Sequence, residues 1–88
     1  MPFGVARLGD VDSEGAPQVQ GSTNVFANNL AVCRTGDLDS GAGPDNPPGA
    51  AIGQSTVFVN GLPIYVIGNP DSSGRTQIEG SLNVFANP

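Results

Sequence analysis

Apolar residues in this chain fall in short blocks, and the blocks repeat. Residues 21–30 read GSTNVFANNL, residues 53–62 read GQSTVFVNGL, and residues 80–88 read GSLNVFANP. Aligned on Val25, Val57 and Val84, every copy has Gly four residues before the Val, Phe directly after it and Asn three after it. A second block keeps the same count: residues 5–10, VARLGD, match residues 32–37, VCRTGD, and residues 64–69, IYVIGN. With the first block called the Phe arm and the second the Gly-Asp arm, the two alternate along the chain. One Gly-Asp arm is left over at the start and one Phe arm at the end.

Short apolar blocks bounded by Gly, Asn, Asp and Pro predict strands rather than helices. Residues 3–8 read as a first strand and residues 23–27 as a second. Asn28-Asn29 then stands where the next repeat has Asn60-Gly61, and Asn-Gly between apolar runs marks a tight hairpin because both central residues must take positive φ. Hairpins are expected over residues 23–35 and 55–67, and a last strand over 77–86. Pro63 opens an arm at a position whose N–H need not be paired. Residues 11–20, 38–52 and 70–76, rich in turn formers, are expected as loops. If residues 5–8 pair with residues 81–86, the leftover arms make a third hairpin and bring Met1 close to Pro88. The expected fold is all-β: three pseudo-threefold-related β-hairpin repeats, the third closed by pairing of the N- and C-terminal strands, with no free strand edge.

Composition narrows the function. At 88 residues the chain reads as one domain, residues 1–88, burying about 60 to 65 per cent of its unfolded surface. Gly and Pro together supply 13 and 8 residues, which argues against long helices. Three basic residues against eight acidic give a net charge of −5, so a nucleic-acid backbone would be repelled. One Cys and no His leave neither an internal disulfide nor a Cys/His zinc site as a staple. The same lack of His excludes a Ser/His or Cys/His nucleophile, and no enzyme is expected. No signal-peptide pattern and no apolar run of about 20 residues is present, so a soluble chain is expected.

The ordered set Gly21-Ser22, Asn24-Val25-Phe26, Asn60-Gly61-Leu62-Pro63, Gly9-Asp10, Gly36-Asp37, Gly80-Ser81 and Asn83-Val84-Phe85 resembles the PAAR-repeat family of spike-tip proteins across nearly the whole chain. The resemblance implies a small β cone, one copy of which caps and sharpens a trimeric β-helical spike. Such spikes front contractile phage tails and type VI secretion machines, with transient contact to a target cell envelope. With no extension at either end, a phage tail tip is the favoured location. Family members hold a zinc with His and Cys from the loops after the Gly-Asp motifs. Those loops contain neither here, so the zinc is not carried over, and Cys33 lies inside an arm as a small buried apolar residue.

What the loops carry instead is Asp12, Asp39 and Asp71, each three residues after the Gly of its arm. Either each forms an Asx-turn with its own loop, or the three together are candidate ligands for a hard cation; without one they would repel. Phe26, Phe58 and Phe85 are read first as core. Alternatively they contact the partner, together with Val25, Val57 and Val84 as the inward-pointing neighbours. Arg7 and Arg34 are placed to pair with Asp10 and Asp37, which with Asn69 shape turns. The competing function is a small cation-dependent ligand- or sugar-binding β module using the Asp loops. Those loops hold no Phe, Tyr or Trp to stack on a sugar, which favours the tip.

Overall fold

Every strand is only two residues long, one inside each Phe arm and one just before each Gly-Asp arm. The computed structural model describes residues 3–41 and 47–87, and among them there is no helix, hence none long and apolar enough to cross a membrane. The six strands are β1 (Phe3–Gly4), β2 (Phe26–Ala27), β3 (Leu30–Ala31), β4 (Phe58–Val59), β5 (Leu62–Pro63) and β6 (Phe85–Ala86). They form three antiparallel two-stranded sheets, β1-β6, β2-β3 and β4-β5. The register is the same in each: Phe26, Phe58 and Phe85 face Ala31, Pro63 and Gly4, and Ala27, Val59 and Ala86 face Leu30, Leu62 and Phe3. The two ends of the chain therefore do pair, through Phe3–Gly4 and Val5 rather than the expected residues 5–8, with Met1 and Pro88 themselves outside the described residues.

The turn chemistry follows the sequence. Asn28 and Asn29 take φ of 55° and 66°, and Asn60 and Gly61 take 54° and 80°, so both central residues of each hairpin turn are in the left-handed region. At the far end of each Gly-Asp arm, Asp10 N, Asp37 N and Asn69 N donate to Arg7 O, Arg34 O and Val66 O. The third residue of that turn is Gly9, Gly36 or Gly68, with φ of 92°, 94° and 96°, a conformation that costs a side-chain-bearing residue and not Gly. Asp10, Asp37 and Asn69 close the same turns by accepting from the main chain of Arg7, Arg34 and Val66.

The strands are shorter than the sequence suggests because the chain changes partner after two residues, where each Gly-Asp arm begins. Beyond its hairpin it bridges another Gly-Asp arm, at Val5↔Val66, Arg7↔Val32 and Arg34↔Ile64. Ala6 N donates to Tyr65 O at 2.8 Å, Tyr65 N to Cys33 O at 3.0 Å, and Cys33 N to Ala6 O at 3.0 Å. These are the three residues that the repeat alignment equates. Residues 77–86, expected as one strand, pair regularly only at Phe85–Ala86, because Thr76 and Gln77 bridge loop residues Pro70 and Asp12 instead.

Among the described residues the interior has two apolar clusters. The larger joins Val5, Val32, Ile64 and Val66 of the Gly-Asp arms to Ala27, Val59 and Ala86 of the Phe arms. The smaller is Ala6, Cys33, Ala51 and Tyr65, in which one large ring is accommodated by three small neighbours. The expectation that Val25, Val57 and Val84 fill the interior is corrected here. Val25 is half-buried, and Val57 and Val84 are 44% and 38% exposed. The residue two further on, on the same side of the strand, takes the interior place.

Candidate functional site

Three loops place three carboxylates together. Each Asp begins its loop and folds it with one oxygen. Asp12 Oδ1 accepts from Glu14 N at 2.9 Å and Ala16 N at 3.0 Å. Asp39 Oδ1 accepts from Gly41 N at 2.8 Å and Gly49 N at 3.0 Å, and Asp71 Oδ1 from Ser73 N at 2.9 Å and Arg75 N at 3.0 Å. These are the expected Asx-turns. They also orient the carboxylates inward: Asp12, Asp39 and Asp71 are buried, with ligand oxygens within 4.8 Å of one another.

The charge that balances them there is Arg75, which the repeat pattern does not single out. Its Nε lies 3.1 Å from Asp12 Oδ2 and 3.4 Å from Asp71 Oδ2, and its Nη2 lies 3.2 Å from Asp39 Oδ1. Nη2 also donates to Pro47 O at 3.0 Å. Only 5% of Arg75 is exposed. A guanidinium suits the position because it offers five donors in a plane to several carboxylates at once. Breaking such a buried group costs about 3 to 5 kcal/mol, since it strands the remaining charges. A signal for Arg75 does exist in the loops: DSEGA at 12–16 matches DSSGR at 71–75. Main-chain hydrogen bonds equate Ala16, Gly49 and Arg75, whose carbonyls accept from Asp12 N, Asp39 N and Asp71 N. A Cβ on Gly49 would come within 2.8 Å of Asp71 Cγ and Oδ2, so position 49 has no room for a side chain.

Titration separates Asp39 from Asp71. Burial pushes Asp39 above the usual carboxylate range, with Asp71 and Asp12 adding to the rise and the amides of Gly49 and Gly41 opposing it. Burial also acts on Asp71, but the Ser73 hydroxyl, the amides of Arg75 and Ser73, and Asp39 outweigh it, and Asp71 lies below the usual range. A raised folded-state value means that Asp39 favours the fold at low pH and loses that contribution as pH rises through it. For Asp71, stability is present above the usual range and lost as pH falls through the lowered value. Thermal melts of Asp39→Asn are therefore expected to gain on the wild type as pH climbs above about 4, whereas the advantage of wild type over Asp71→Asn shrinks as pH falls below about 4. Parallel pH profiles for wild type and both variants would contradict this assignment.

Zinc does not fit these residues. The described loops offer carboxylates and a guanidinium, and Cys33 is fully buried with its Sγ donating to Gln20 O at 3.4 Å. Burial, reinforced by Asp37 and Asp10, pushes its thiol up to about 12, so the thiolate needed for ligation is disfavoured.

The expected surface pairs form. Arg7 meets Asp10 at 2.9 Å and 3.1 Å, and Arg34 meets Asp37 at 3.0 Å through each of two nitrogens. Each guanidinium continues to an Asn of a hairpin turn, Arg7 to Asn28 and Arg34 to Asn60. Partly exposed, they contribute about 0 to 1 kcal/mol.

A polar belt explains the repeated Ser and Asn, whose role goes beyond shaping turns. Ser22 Oγ donates to Asn60 Oδ1 at 2.7 Å, Ser55 Oγ to Asn87 Oδ1 at 2.7 Å, and Ser81 Oγ to Asn28 Oδ1 at 2.6 Å. The Asn three residues after each Val thus reaches a Ser of another repeat. Each Ser also accepts from the Val that follows, Val25, Val57 and Val84. Ser55 does so from one place later than its counterparts, which hides it in the alignment.

The Phe positions correct the core reading. Phe26, Phe58 and Phe85 are 60%, 61% and 53% exposed, because their strand neighbours Ala27, Val59 and Ala86 turn inward and leave the rings outside. They hold equal places in three sheets of equal register. Leu30 and Leu62 add exposed apolar area from the paired strands. Comparison with protein-family models and with curated proteins finds no match to this chain.

Proposed function

We propose that the chain is a structural tip, resembling PAAR-repeat proteins, that caps the trimeric β-helical spike of a contractile injection machine, with the phage tail baseplate favoured over type VI secretion. The three hairpins form a closed cone of pseudo-threefold symmetry, so one copy offers like surfaces to three identical subunits. Cell-envelope penetration is its task, and the tail tip its location. The observation that carries this reading is the set of three half-exposed Phe rings at matched places of identically registered hairpins. Exposed aromatic rings at matched places suit a surface that a partner covers. A cation-dependent sugar-binding module gains no support, since Asp12, Asp39 and Asp71 are buried and engaged by Arg75.

The test is a mass measurement of the complex reconstituted with the trimeric spike of its own apparatus. One chain per three spike subunits is expected, and the complex should survive moderate salt because surface ion pairs are not its basis. A three-to-three complex, or one dissolved by moderate salt, would remove this mechanism.

A further inference from the structure

We infer that Arg75 is the resident cation of a three-carboxylate site, a guanidinium standing where a divalent metal ion would otherwise be required, and that the same loops bind calcium once Arg75 is removed. Two oxygens each about 2.4 Å from one calcium ion are separated by at most about 4.8 Å, and the Asp12, Asp39 and Asp71 oxygens already lie within 4.8 Å of one another. Their orientation does not depend on Arg75, since each Asp is fixed by main-chain amides of its own loop. Nor does that loop geometry depend on an Arg, because Ala16 and Gly49 hold the equivalent places.

A second observation points to an ion rather than to a cluster satisfied in itself. Among the described residues, Asp12 Oδ2 is fully buried and ion-paired to Arg75 Nε at 3.1 Å but accepts no hydrogen bond, and Arg75 Nη1 donates none. The planar guanidinium neutralises the site without meeting all its acceptors. Among the described residues one positive charge faces three carboxylates, and oxygen donors alone suit a hard ion such as calcium. This inference is independent of whether the chain sits on a spike.

Thermal melts of wild type and Arg75→Ala in EDTA and in millimolar calcium decide it. The wild type is expected to melt at the same temperature in both. Arg75→Ala should melt about 10 °C lower or more in EDTA, as the loss of one partner of a buried ionic group implies, and regain at least half of that loss in calcium. Titration calorimetry should find one calcium per variant chain. Arg75→Ala combined with Asp12→Asn, Asp39→Asn and Asp71→Asn should be indifferent to calcium, which separates this site from surface carboxylates. If Arg75→Ala does not fold in EDTA, refolding from denaturant with and without calcium reads the same difference: recovery in calcium alone supports the site, and no recovery in either overturns it. An Arg75→Ala protein that ignores calcium, or that melts with the wild type in EDTA, would overturn the inference, as would calcium-dependent melting of the wild type.

Discussion

Gly53→Ala is expected to lower the melting temperature by about 10 to 20 °C, on the basis of about 2 to 3 kcal/mol for forcing one methyl into a filled space and about 4 to 8 °C per kcal/mol in a domain of this size. The Gly four residues before each Val is the most regular feature of the repeats, and its cause is a close approach rather than a turn. A Cβ on Gly53 would lie 2.5 Å from Ile64 O and 2.8 Å from Pro63 O. Both are main-chain atoms of the arm that follows, so no side-chain rotation relieves the contact. At Gly80 the nearest atom is Gly4 O at 2.7 Å, and at Gly21 it is Ala31 Cβ at 3.0 Å. Calorimetric melts of the three Ala variants should therefore rank Gly53 as most damaging, Gly80 next and Gly21 least. A Gly53→Ala protein within a few degrees of wild type would mean that the arms tolerate separation, and the reverse ranking would contradict close approach as the cause.

Repetition makes the pairing legible. Because Gly, Val, Phe and Asn recur at fixed offsets, the sequence carries the common register of β2-β3 and β4-β5, and through the leftover arms that of β1-β6. Asn-Gly carries the turn type for a local reason, the positive φ that both residues must accept. What periodicity carries is which side of a strand a residue takes, not how deep it lies. Val25 and Ala27 share a side, but only Ala27 reaches the interior, and the Phe between them reads as core because nothing local says which side is filled. Strand length is hidden because it ends where an arm changes partner, a property of three arms rather than one. Arg75 is hidden by loop length: the long middle loop conceals that Gly49 matches Ala16 and Arg75, and without that match the single Arg among three Asp loops has no visible place. Ser55, displaced by one residue, is lost in the same way.

Changing Phe26, Phe58 and Phe85 together to Ala is expected to weaken binding to a trimeric spike by about a thousandfold or more while moving the melting temperature by about 10 °C or less. The two expectations have separate grounds. The rings are more than half exposed, and truncating exposed side chains changes stability by about 0.5 kcal/mol or less apiece. In a complex the same rings would be the buried aromatic anchors, which commonly cost about 2 kcal/mol or more each when removed. Because the three sheets share one register, single Phe→Ala changes should weaken binding by similar factors, and no one ring should dominate. Val59→Ala is the matching control: Val59 is 7% exposed and belongs to the larger core cluster, so it should lose stability and keep affinity at temperatures where it remains folded. Surface plasmon resonance against the immobilised spike, with melts of every variant, separates the outcomes. Wild-type affinity in the triple variant would remove the Phe surface as the contact, and a collapse of its melting temperature would return the rings to the core.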